Sequence, residues 1–153
     1  MSSTGPAAFL LLNLALAFYL VGCIWAHEID IFRNWTVLDP ENFSRLQTVH
    51  WRKLPYWVFA PLALAFAGSL ALIWYHPPGS PAWAIWGNLG GQLASHLLTA
   101  ALWGPWQAKL SHDPAGGRSP YLALILRTHR IRTLLITAYG SILLAWAIIA
   151  LIR

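Results

Sequence analysis

Residues 86–107 read WGNLGGQLASHLLTAALWGPWQ. Asn88, Gln92, His96, Thr99, Trp103 and Gln107 recur in it at steps of four and three. On a helix those steps keep the side chains on one face, within roughly 100° of arc. Leu93, Ala94, Leu97, Leu98, Ala101 and Leu102 occupy the remaining faces. Such a segment is apolar enough to enter a bilayer, but its polar stripe cannot face lipid. The stripe must turn toward other helices or a cavity. The reading therefore predicts an all-α integral membrane four-helix bundle with its site inside.

The flanking chain supplies the other helices. Apolar runs over about 6–26, 54–75, 82–107 and 131–152 each approach the ~20 residues that a bilayer core demands. Leu20-Val21-Gly22-Cys23 resembles a lipoprotein cleavage box. No Lys or Arg precedes the first run, however, and a signal peptide needs a positive leader, so a retained helix is expected. A polar connector, 27–53, comes next. Within it Asp39-Pro40-Glu41 marks a helix start: a capping carboxylate, proline at the first position and an acid in the first turn. That helix is expected to bend near Pro55 and Pro61. His76-Pro77-Pro78-Gly79-Ser80-Pro81 reads as a tight turn, and 109–120 as a second loop. Together the four runs make a single transmembrane domain over 1–153.

Composition agrees. The chain is 58% hydrophobic and 10% charged, against roughly 25% charged for soluble domains. Its one cysteine, Cys23, excludes an internal disulfide and any paired-thiol redox centre. Arg33, Arg45, Arg52, Lys53, Lys109, Arg118, Arg127, Arg130 and Arg132 come after the first and third runs, and only Arg153 lies at the other end. Lys and Arg resist translocation, so the rich end is expected in the cytoplasm and both termini outside. The net charge of +5 then meets anionic headgroups of the lipid bilayer and implies no nucleic acid. Ten Trp residues are present. Trp25, Trp51, Trp57, Trp74, Trp83, Trp103 and Trp106 lie near the ends of apolar runs, where indole rings anchor at the headgroup level.

Two constellations carry chemistry. In the first, His96 lies near mid-membrane with Gln92 one turn away. A neutral imidazole there serves as an interhelical hydrogen-bonding group, or as an axial ligand to haem, chlorophyll or a metal ion. In the second, topology gathers His27, Glu28, Asp30, Gln47, His50, Trp103, Gln107, Arg127, His129 and Arg132 at the basic end. Histidines and carboxylates from separate helices suit a metal site in a bundle core. Spacing leaves the metal open, since no HExxH motif occurs. His76 and His112 fall in loops and read as solvated.

Phe43-Ser44-Arg45-Leu46-Gln47-Thr48-Val49-His50, Trp106-Gln107-Ala108-Lys109-Leu110, and the run 122–133 ending Arg130-Ile131-Arg132-Thr133 carry a resemblance. They resemble motifs of the anthrone-oxygenase-like family of small four-span bacterial membrane proteins. Carried over, the resemblance marks His50, Gln107, Arg132 and Thr133. The chain departs from the family where Gln47 replaces a histidine and His129 an asparagine.

The leading expectation is a membrane oxidoreductase or oxygenase-like protein of the bacterial inner membrane. It acts on an apolar aromatic or quinone-like substrate, with His50 and Glu28 moving protons and Arg132 and Gln107 orienting the substrate oxygen. The alternative is a non-catalytic subunit of a larger membrane redox or pigment complex, or a homo-oligomer, with His96 and Gln92 at the cofactor. A small transporter ranks last, because the chain lacks a buried acid at mid-membrane.

Overall fold

A computed structural model describes residues 4–152. These residues form four long helical rods: α1 (Thr4–Val37), α2 (Pro40–Ala71), α3 (82–110) and α4 (Pro120–Ile152). No strand occurs among the described residues. α1, α2 and α4 are each long and apolar enough to cross a membrane. α3 is not among those three; the amides and imidazole of its polar stripe lower its hydropathy.

The rods pack in a ring, α1 on α2, α2 on α3, α3 on α4 and α4 on α1. Local chemistry sets their ends. The Asp39 carboxylate accepts the Asn42 backbone N–H at 3.0 Å, and Pro40 opens α2, as the sequence predicts. Those bonds hold the Asp39 carboxyl below its ordinary range, the Asn42 backbone N–H contributing most. α4 begins similarly. Ser119 accepts the Tyr121 N–H at 3.1 Å and donates to Asp113 at 2.6 Å, which draws the Asp113 carboxyl below its ordinary range.

Two apolar clusters brace the ring. One joins Leu10, Ala17, Leu72, Ala84, Tyr139, Leu143 and Trp146. The other, at the basic end, joins Phe32, Trp35, Phe43, Leu110, Leu122 and Ile125. Between the clusters a buried polar pair, Ser69 to Asn88 at 3.1 Å, ties α2 to α3. At Gly68 a Cβ would overlap the Asn13 amide, so the missing side chain there is what admits Asn13 between α1 and α2.

Three of the four rods contain one π-helical turn: His27–Ile31 in α1, Pro55–Phe59 in α2 and Thr99–Trp103 in α3. In each, an N–H bonds five residues back, as Phe32 to His27, Ala60 to Pro55 and Gly104 to Thr99. Prolines contribute, because Pro55, Pro61 and Pro105 have no N–H to give to the carbonyl four residues earlier. The Trp57 carbonyl, which Pro61 cannot bond, accepts the Tyr19 hydroxyl at 2.9 Å. The bends expected at Pro55 and Pro61 thus take the form of a π-turn with an interhelical cap. Gly104 is obligatory to the third turn, since a Cβ there would sit 2.9 Å from the Thr99 carbonyl oxygen.

The tryptophans divide. Trp25, Trp74, Trp83 and Trp86 are exposed on the outer surface. Trp103 is not an interfacial anchor as expected: it is 1% exposed and gives its indole N–H to Thr128 at 3.0 Å.

Candidate functional site

The π-turns surround a cavity of about 120 Å³. All four rods line it. Leu20, Cys23, Ile24 and His27 come from α1, and His50, Trp51, Leu54 and Val58 from α2. Ser95, Thr99, Trp103 and Gln107 come from α3, and Arg132 and Ile136 from α4. A π-turn adds one residue to a helical turn and re-aims the side chains beyond it, which is one reason such turns recur at functional sites. Here they present His27, Val58, Thr99 and Trp103 to a common space.

The polar wall of this cavity is an ordered network. Arg132 Nη2 lies 2.7 Å from His129 Nε2, and His129 Nδ1 lies 2.9 Å from Glu28 Oε2. A guanidinium only donates, so Nε2 accepts and the Nδ1 proton is given to the carboxylate. His129 is therefore a neutral imidazole joining a cation to an anion. The Thr133 hydroxyl donates to the His129 carbonyl at 3.2 Å. Glu28, its side chain 10% exposed, meets the exposed Arg33 at 3.4 Å. Arg132 also lies over the Trp103 ring, 5.2 Å from its centroid, a cation–π contact.

Aromatic packing fixes the other imidazoles. His27 stacks on Trp57 with centroids 5.1 Å apart, and its Nδ1 lies 2.7 Å from the Cys23 carbonyl oxygen. A carbonyl only accepts, so His27 Nδ1 carries the proton. His50 meets Trp35 edge-on at 5.0 Å and stands 5.8 Å from His27.

The sequence-predicted residues separate into three groups. His50, Arg132 and Gln107 line the cavity together. Glu28 lies behind the wall and reaches it through His129. His96 and Gln92 do not line it. The buried seam of α3 runs Asn88, Gln92, Ser95, Trp103, with Ser95 where the stripe expected His96. His96 is half-buried at the edge of the seam. Its Nδ1 donates to the Gln92 carbonyl at 2.7 Å, and its ring rests against Phe66 at 5.1 Å. Among the described residues no group of three or more His, Cys, Asp or Glu side chains is arranged to hold a metal ion.

His27 and His129 belong to the constellation that the sequence gathers at the basic end, but not to the four residues it assigns to proton transfer and substrate orientation. Cys23 and Trp57 belong to neither. His129 and Arg132 at i, i+3 share a helix face, and that spacing is a legible signal of their pairing. The stacking of His27 on Trp57 joins two rods and leaves no trace in spacing.

Three buried polar atoms at this cavity have no hydrogen-bonding group opposite them among the described residues: Trp51 Nε1, Gln107 Oε1 and Arg132 Nε. Comparison with family models, with curated proteins and with solved structures returns no match.

Proposed function

We propose that the protein is a membrane-embedded oxidoreductase or oxygenase-like catalyst whose cavity holds the ring of an apolar aromatic or quinone-like molecule. In this reading the four rods are four spans of a bacterial inner membrane, with the basic end cytoplasmic and both termini outside. The observation that carries the proposal is the trio of unpartnered polar atoms on residues that line the cavity. Buried polar groups are nearly always bonded. Two of the three, on Trp51 and Arg132, donate, and the third, on Gln107, accepts. A ring bearing both a carbonyl or phenolate oxygen and a hydroxyl answers all three. The cavity volume, about 120 Å³, is close to the ~150 Å³ of an apolar cavity that holds benzene. It suits one ring, with any apolar tail lying in the membrane.

Position assigns the roles. Arg132 faces the oxygen that gains negative charge, and its own charge is balanced through His129 by Glu28. Gln107 accepts from the hydroxyl and sets the ring's orientation. His50, against the cavity and without a carboxylate partner among the described residues, takes or gives the proton in this reading. Glu28 connects that wall to the solvent-facing Arg33. The motif resemblance to the anthrone-oxygenase-like family points to the same substrate class.

A fully substituted, hydroxylated benzoquinone added to detergent-purified protein tests the binding step through quenching of tryptophan fluorescence. Arg132→Met and Gln107→Leu should each weaken binding about tenfold or more, since a hydrogen bond to a charged or polar buried group is worth about 1–3 kcal/mol. Equal quenching of wild type and both variants would refute the assignment.

A further inference from the structure

The cavity has a second neighbour. Nearer the basic end a recess of about 400 Å³ opens between α2 and α3, lined by Gln47, Thr48, Trp51, Ala108, Ser111 and His112. Ala60–Ala71 of α2 packs closely on Ala82–Leu98 of α3, but that close backbone packing does not continue past the π-turns of the two rods. Trp51 belongs to both the recess and the cavity. It is the residue that the two linings share.

Residues with unpartnered buried atoms occur on both linings. Gln47, 2% exposed, has neither its Oε1 nor its Nε2 matched by a protein group. Trp51 Nε1 is next on the same helix face, one turn on. Gln107 Oε1 and Arg132 Nε complete the series on the cavity side. Donors and acceptors are mixed along it. A line of like-signed groups would suit an ion, whereas a mixed line suits a molecule that both donates and accepts. Water does so, and bridging water is a common way for buried polar groups to be satisfied. At the inner end stands the Arg132 guanidinium, which disfavours cations entering a narrow path.

We infer that the cleft between α2 and α3 is a hydrated inlet, gated by Trp51, that passes water and small neutral polar solutes from the basic face into the cavity. The inlet is independent of which ring occupies the cavity. Trp51 is its movable part: half-buried, shared by both linings, with its N–H unbonded among the described residues. Gln47 forms the outer contact and Gln107 the inner one.

Cys23 provides an internal reporter, because it lines the cavity and is the single cysteine of the chain. Its reaction with a neutral hydrophilic methanethiosulfonate requires thiolate in contact with water. The rate is measured at fixed pH on full-length protein in sealed vesicles. Trp51→Ala should accelerate labelling at least tenfold, while Trp25→Ala, an exposed indole on the outer surface, should leave it unchanged. Gln47→Leu, which keeps the volume and removes both outer hydrogen-bonding atoms, should slow it about fivefold. A cationic methanethiosulfonate should react more slowly than the neutral one, and Arg132→Met should narrow that difference. Labelling that is equally slow in wild type and Trp51→Ala would overturn the inlet. So would acceleration by Trp25→Ala equal to that by Trp51→Ala, since general loosening would then explain both. Protection of Cys23 by the benzoquinone tests the binding proposal separately, and its failure leaves these expectations intact.

Discussion

At the scale of single residues the centre of the site is His129. One imidazole holds the Arg132 guanidinium on one nitrogen and the Glu28 carboxylate on the other, at 2.7 and 2.9 Å. It is 1% exposed, so water cannot take over either bond. Replacing it with an apolar side chain leaves the buried Arg132 guanidinium without its bonded acceptor and Glu28 with Arg33 alone, a loss of about 1–3 kcal/mol for a buried polar group left unsatisfied. His129→Leu should therefore lower thermal stability in detergent sharply. His129→Gln should recover much of it, because an amide also donates on one side and accepts on the other. If the two variants melt together, the network does not stabilise the fold. The resemblance motif singles out Arg132 and Thr133 and makes position 129 a departure. Bonding makes that departure the residue on which Arg132 depends.

At the scale of elements the π-turns decide the site. Prolines at 55, 61 and 105 announce irregular helix, and the sequence predicts bends at the first two. It does not reveal that the outcome is an added residue in a turn, with the carbonyl of Trp57 capped from α1 by Tyr19. The turn in α1, His27–Ile31, contains no proline, and no local signal marks it. Gly104 offers a direct test. Its substitution by Ala brings a Cβ to within 2.9 Å of the Thr99 oxygen, so the turn must shift. A return to regular α-helix would rotate Trp103 and Gln107 relative to Ser95 by about 100°, one residue's worth of helix. Gly104→Ala should thus weaken benzoquinone binding about tenfold while the protein retains its helical circular dichroism. Unchanged binding would show that the Thr99–Trp103 turn does not set the cavity wall.

At the scale of the whole molecule the charge pattern predicts placement in the membrane. Arg33, Arg52, Arg127 and their neighbours gather at the end where the network lies, and three rods have the length and apolarity to cross. The expected arrangement has both termini on the side opposite that charge. Alkaline phosphatase fused after residue 153 should be active and a fluorescent protein at the same point dark. The reverse pattern would place the basic end outside and remove the cytoplasmic assignment of the inlet with it.

The all-helical class, the apolar rods, the polar seam of α3 and the start of α2 at Asp39 are legible in the order of residues alone. These come from hydrophobic period and backbone chemistry, which act over a few residues. That Ser95 and not His96 enters the seam follows from packing, because a step of three or four is equally allowed locally and the choice belongs to the neighbouring rods. Packing also puts His50, Gln107 and Arg132 on one cavity, links Glu28 to it through His129, and makes Trp51 common to that cavity and the recess. Those relations join residues as far apart as 28 and 129. Side chains so distant in sequence meet through the packing angles and turn geometry of whole helices, which local spacing does not encode.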